Sequence, residues 1–198
     1  SAGRDKNAFE KCLALFAGFA GRKLFVAGNH GLWSANGTDA MTLLRDELPA
    51  RAEPHGFESL EFAQADIGEV AIVGTVGWYD YSFRNRELAL PMRFYERKVS
   101  PGAARYFSEH NDLLESDDDL TDAHRKMTVR WMDGVHVNLD MSDAAFTEQL
   151  ADKLADQLAQ VAPRVERIVA AIHHPPFANL LPALPDAPKW RFIEAYMG

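Results

Sequence analysis

The sequence predicts an α/β fold, and three observations carry that reading. Two compact apolar runs, residues 24–27 and 168–172, are bounded by charge, glycine or proline and read as buried strands. Apolar residues at helical spacing recur before, between and after them, the alternation expected of an α/β chain. Both runs deliver polar side chains directly after their last apolar residue, at the strand end where such sheets bind ligands.

Taken in order, residues 8–20 place Phe9, Cys12, Leu13, Phe16 and Phe19 on one helical face, and Gly21 ends the helix. Cys12 on that face is expected to be an inert core thiol. After the first strand, residues 38–48 form a second helix, capped by Thr38 or Asp39 and stopped by Pro49. Residues 59–63 and 69–74 read as strands joined by the turn Asp66-Ile67-Gly68. The aromatic loop Gly77-Trp78-Tyr79-Asp80-Tyr81 follows, with its rings expected as core or loop anchors. Residues 129–137 alternate around Asp133-Gly134 and predict a hairpin with a tight turn. Residues 142–161 make a long capped helix, 182–188 a proline-broken loop, and 190–197 the start of a last helix.

The whole chain of 198 residues is expected to form one domain, with residues of about 80–139 as a lid or insertion. That middle region is charge-segregated. Residues 84–105 hold six basic side chains against Glu87 and Glu96, whereas 109–122 hold seven acids and no Lys or Arg. The acid run is expected as a solvated loop with a helix cap, and the basic run as an exposed face or a phosphate-attracting rim.

Composition excludes several classes. At 47% hydrophobic and 25% charged, the chain is neither disordered nor collagen-like, and a single cysteine forbids an internal disulfide. A formal charge of −8 opposes nonspecific nucleic-acid binding. No apolar stretch approaches the ~20 residues of a membrane span, and residues 1–7 lead straight into a helical pattern with no signal peptide. A cytoplasmic protein is expected. Neither Gly-x-Ser-x-Gly nor Gly-x-Gly-x-x-Gly occurs, which leaves no sign of a serine hydrolase or a dinucleotide-binding enzyme.

The chemistry therefore rests on Gly28-Asn29-His30-Gly31 and His173-His174-Pro175-Pro176, one group at each strand end. An amide oxygen and imidazole nitrogens suit divalent transition ions, and a histidine that is not a ligand can protonate a leaving oxygen. His55, His110, His124 and His136 lie away from these runs and are expected on exposed surfaces.

At these residues the sequence resembles the calcineurin-like metallophosphoesterases, the binuclear-metal phosphoesterase superfamily. Residues 24–30 are similar to its Gly-Asn-His-Asp/Glu motif, 171–176 to its His before Pro, and 73–80 to the strand and loop that often follow in bacterial members. The resemblance implies an α/β sandwich of two mixed sheets flanked by helices, and hydrolysis of phosphate monoesters or diesters. It implies two divalent ions (Mn, Fe, Zn or Co), with Asn29 and His173 as ligands of one. His30 would act as general acid or transition-state stabiliser near the leaving group. His174 either supports a ligand or is merely packed.

The departures are specific. No Asp-x-His or Gly-Asp precedes Gly28, no Gly-His-x-His follows, and Gly31 stands where the family has an acid. The sequence is accordingly expected to be the central part of a longer enzyme. The alternative is an inactive relative serving as a binding or scaffold module.

Overall fold

The computed structural model describes residues 5–198, which adopt an α/β fold. In chain order the elements are α1 (Lys6–Ala14), β1 (Lys23–Phe25), α2 (Ala40–Thr42), α3 (Leu48–Ala52), β2 (Phe57–Ser59), β3 (Ala65–Ile67), β4 (Val70–Thr75), α4 (Met92–Glu96), α5 (Pro101–Ala104), α6 (Asp122–Lys126), α7 (Asp133–His136), α8 (Asp143–Val161), β5 (Arg167–Ile172) and α9 (Pro188–Ile193). Short 3-10 turns and one π turn join them.

Where one domain was expected, the chain forms two compact units. The first runs to Trp78 and resumes over His136–His174; the second comprises Tyr79–Val135 and Pro175–Gly198. Residues 80–135 of the stretch expected as a lid or insertion fall in the second unit and 136–139 in the first.

In the first unit β1 and β2 pair in parallel, Leu24 opposite Glu58. A second sheet has the order β3-β4-β5, with β3 and β4 antiparallel and β4 and β5 parallel, Gly74 opposite Ala171. Gly68 at φ 61 makes the β3–β4 turn. The two sheets approach at Gly74, where an added Cβ would stand 2.9 Å from Leu60 Cβ and 3.0 Å from Val26 Cγ1.

Helix α8 covers β4. Ser142 accepts from the Ala145 amide as N-cap, and Val161, Leu154 and Leu158 pack on Ala71 and Val73. β5 is different: Ile168 is 36% and Val169 52% exposed, so the expected buried strand is an edge strand with an uncovered face. An apolar run announces that a strand can be covered on both faces; it does not bring the cover with it.

The early elements also depart from expectation. α1 ends at Ala14 because the next amides turn back to carbonyls three residues earlier (Phe16 N to Leu13 O, 3.0 Å), and Leu15 is left 82% exposed. Cys12 is exposed rather than in the core. The second helix does not stop at Pro49. Its first turn is capped by Asp39, a π turn spans Leu43–Glu47, and α3 carries Pro49 in its own first turn. A proline ring clashes with the carbonyl four residues back, and the wider π turn relieves that clash. Residues 59–63 are no strand beyond Ser59: Leu60 and Glu61 turn inward and are buried.

The second unit is built on rings and ion pairs. Trp131 stacks on Tyr196 at 5.2 Å, Tyr95 stacks on Phe192 at 5.2 Å, and Tyr79 and Tyr81 are buried beside them. The expected hairpin at 129–137 is instead the short helix α7. Asp133, the presumptive turn residue, is buried and accepts from Trp131 Nε1 (2.9 Å) and Tyr79 Oη (3.2 Å). Two ring donors, that of Tyr79 buried, outweigh the local turn preference of Asp-Gly.

The acid run is not simply solvated. Its carboxylates meet the basic run and its own neighbours: Arg93 with Asp119 (2.6 Å), Arg97 with Asp112 (2.7 Å), Arg125 with Asp117 (3.2 Å) and Arg130 with Glu109 (3.1 Å). His124, expected outside, is buried, contacts the Leu88 carbonyl at 2.6 Å and completes a capping box with Thr121.

His110, likewise expected outside, is buried with neither ring nitrogen hydrogen-bonded among the described residues. Burial holds its pKa below the ordinary 6.5, reinforced by Arg130 and Arg97 and opposed by Glu109 and Asp112. The unfolded chain therefore binds the proton more readily than the folded one, and stability falls as pH drops through about 6.5. Urea titrations at about pH 7.5 and about pH 5.5 should show that loss, and His110→Leu should shrink it. An unchanged pH dependence in the variant would remove His110 as the cause.

No helix of the described residues is long and apolar enough to cross a membrane.

Candidate functional site

The site lies wholly in the first unit, where two chain segments leave the sheets. After β1 the backbone passes Gly28 and enters a 3-10 turn over Asn29–Leu32, closed by Gly31 N to Gly28 O at 2.7 Å. Lys6 of α1 pins this turn from outside, donating to the carbonyls of Gly31 (2.6 Å) and Trp33 (3.0 Å). After β5 the pairing with β4 runs on: His173 N donates to Thr75 O (3.2 Å) and His174 N to Val76 O (3.1 Å). The histidine pair is thus aligned along the end of β4.

These turns bring Asn29 and His173 together across 144 residues, with Asn29 Oδ1 3.2 Å from His173 Nε2. Asn29 is buried and His173 exposed, so the pair sits at the rim of the fold. Glycine at position 28 permits the approach. A Cβ there would stand 2.9 Å from His173 Cε1 and 3.1 Å from Nε2, closer than real side chains come. The position of Gly31 is less demanding: a Cβ would meet Ala27 and Leu48 at 3.5 Å, an ordinary contact.

His30 follows Asn29 on the same turn. Trp33 follows that turn, and its ring lies against that of His30, the centres 4.0 Å apart and the planes tilted by 34°. Trp33 in turn contacts the ring of His136 at 4.6 Å, and the His136 carbonyl accepts from Ser34 N at 2.8 Å. His136, expected on the outer side of a hairpin, is therefore the back support of the stack.

His174 is only 6% exposed and packs against Trp78 (5.6 Å) and His173 (5.1 Å). Gly77, at φ 61, makes room for it: a Cβ there would be 3.3 Å from His174 Cβ. The buried Trp78 indole donates to Asp143 Oδ1 at 2.7 Å, which ties the loop to the start of α8.

Behind the strand ends lies a buried carboxylate the sequence reading passed over. Glu61 accepts from Thr75 Oγ1 (2.8 Å) and Val76 N (2.7 Å), and Lys153 of α8 is bonded to both its carboxylate and its carbonyl. Burial pulls the Lys153 pKa below its ordinary value, with Glu61 holding it up. Gln157, one turn further along, donates to the Leu60 and Ala63 carbonyls.

Of the four residues singled out from the sequence, Asn29 and His173 are brought into contact, His30 is beside them in sequence and held by Trp33, and His174 is packed. The donors Asn29 Oδ1 and His173 Nε2, 3.2 Å apart, have roughly the spacing of two neighbouring ligands on an ion bonded at ~2.1 Å. Two donors do not make a metal centre, and the described residues contain no group of three His, Cys, Asp or Glu side chains able to hold an ion. Trp33, His136, Glu61 and Lys6 were not legible as site residues.

Compared with protein-family models, curated proteins and solved structures, the chain finds no match. The metallophosphoesterase resemblance therefore rests on its own residues.

Proposed function

We propose that this chain carries part of the active site of a metal-dependent phosphoesterase, hydrolysing phosphate monoesters or diesters in a reducing, cytoplasmic setting. The observation that supports the reading most is the contact of Asn29 with His173, two potential ligands delivered by separate strand ends with a histidine adjacent. In this reading the two small sheets belong to the metallophosphoesterase sandwich. The remaining carboxylate and histidine ligands come from chain outside these 198 residues, an inference favoured by the uncovered apolar face of β5.

Bound divalent ions, two in the complete site, would supply Lewis acidity toward a phosphoryl oxygen. The chain's own residues have simpler tasks. Asn29 and His173 present neutral donors, and His30, its ring fixed against Trp33, holds a proton for the departing alcohol.

Metal content and turnover of the full-length protein encoded around this sequence test the proposal. About two transition ions per chain and Mn-dependent hydrolysis of a phosphate ester are expected. No ion bound under saturating metal would instead favour a binding or scaffold module, and an upstream sequence without Asp-x-His would sink the enzyme reading.

A further inference from the structure

The second unit contains a cavity of about 360 Å³ that the reading above does not use, lined among others by Arg84, Arg86, Leu90, Pro91, Met92 and Tyr95. Its charge is what sets it apart. Arg93, Arg97, Arg125, Arg130 and Arg191 of the same unit each hold a carboxylate. Among the described residues Arg84 and Arg86 hold none, although the chain as a whole has an excess of eight negative charges. Arg105 of the basic run holds none either; Arg84 and Arg86 are the two that share one cavity.

Arg84 is positioned rather than mobile on its stem, since its Nη1 donates to the Tyr81 carbonyl at 3.1 Å and the remaining N–H groups stay available. Tyr95 is 1% exposed, and its buried hydroxyl has no hydrogen-bond partner among the described residues. Burial pushes that phenol up to about 12, with Arg84 opposing and Glu194 adding to the rise. Leu90, Pro91 and Met92 give the same cavity an apolar wall.

Two fork-shaped cationic donors and an apolar wall are complementary to an anion carrying a small apolar body. We propose that this cavity binds a small organic phosphate, its phosphate oxygens taken by Arg84 and Arg86, with its carbon skeleton on Leu90, Pro91 and Met92. The proposal stands on the second unit alone and does not depend on the phosphoesterase reading.

Calorimetric titration of the 198-residue chain with phenyl phosphate tests it, with inorganic phosphate, phenylacetate and benzyl alcohol as companions. Saturable one-to-one binding of phenyl phosphate is expected, tighter than that of any companion. Arg84→Gln and Arg86→Gln should each weaken it by about tenfold. Arg86 is exposed, so its variant tests the idea without threatening the fold, and circular dichroism verifies that of Arg84. No saturation at about 10 mM, binding that survives both arginine substitutions, or tighter binding of phenylacetate would each overturn the proposal. Inorganic phosphate binding as well as phenyl phosphate would overturn it too, because the apolar wall would then contribute nothing.

Discussion

Glu61→Ala should destabilise the first unit by about 3–5 kcal/mol, the cost of removing one member of a buried ion pair. The carboxylate is 1% exposed and closes three contacts at once: Lys153 Nζ, the Thr75 hydroxyl and the Val76 amide. Its removal leaves a buried ammonium without its counter-charge and two buried donors without an acceptor, each of which costs about 1–3 kcal/mol when unsatisfied. In a domain of this size such a loss lowers the melting midpoint by roughly 6–20 °C. Lys153→Met should also destabilise the unit, because it leaves the buried Glu61 carboxylate without its counter-charge, although the Thr75 hydroxyl and the Val76 amide still donate to it. The double variant should then fall short of the sum of the two by about 0.5–3 kcal/mol, the coupling of residues in direct contact. Additive effects, or a loss below about 1 kcal/mol for Glu61→Ala, would show that solvent reaches the pair and that it does not hold the strand ends.

The consequence reaches the site through the backbone. Glu61 fixes Thr75 and Val76, and the carbonyls of those same residues accept the amides of His173 and His174. A carboxylate that touches none of the candidate ligands thus determines where His173 stands relative to Asn29. Burying an ion pair for stability alone is a poor exchange, since a well-packed apolar pair often does as well; fixing a strand end gives it a reason to be there.

Glu61 also shows where sequence reading loses sight of a structure. Residues 59–63 alternate like a strand, and nothing local reveals that a glutamate there meets a lysine 92 positions later. Helix α8 was legible almost to the residue because its determinants are local: Ser142 as cap and leucines at helical spacing. The two strand ends were legible for the same reason, each being a short apolar run closed by a turn residue or proline. What escaped were pairings between distant segments, such as the acid run with Arg93 and Arg97, and Asp133 with Tyr79. The exposed face of β5 escaped for a related cause: periodicity records what a side chain can bury against, while coverage belongs to the tertiary neighbours.

The candidate site was half legible. Asn29, His30 and His173 were found because their residue types at strand ends have a chemical meaning, whereas the Trp33 and His136 rings that hold His30 have none on their own. That support makes the role of His30 separable from that of the metal-ligand candidates. In the full-length protein His30→Ala should leave metal content unchanged, since the Asn29 amide and the His173 ring meet without it. Turnover of an alkyl phosphate should fall by about 10²–10⁴-fold, the usual contribution of a positioned general acid. An activated aryl phosphate, whose alcohol departs without help, should lose far less. Gly28→Ala provides the contrast: its Cβ would displace the His173 ring, 2.9 Å away, and not His30. It should therefore lower metal uptake and should depress alkyl and aryl substrates alike, by about 10–100-fold if its effect is to misplace a ligand. Equal losses on both substrates in His30→Ala would place that histidine with the ligands, and unchanged turnover would remove it from the reaction.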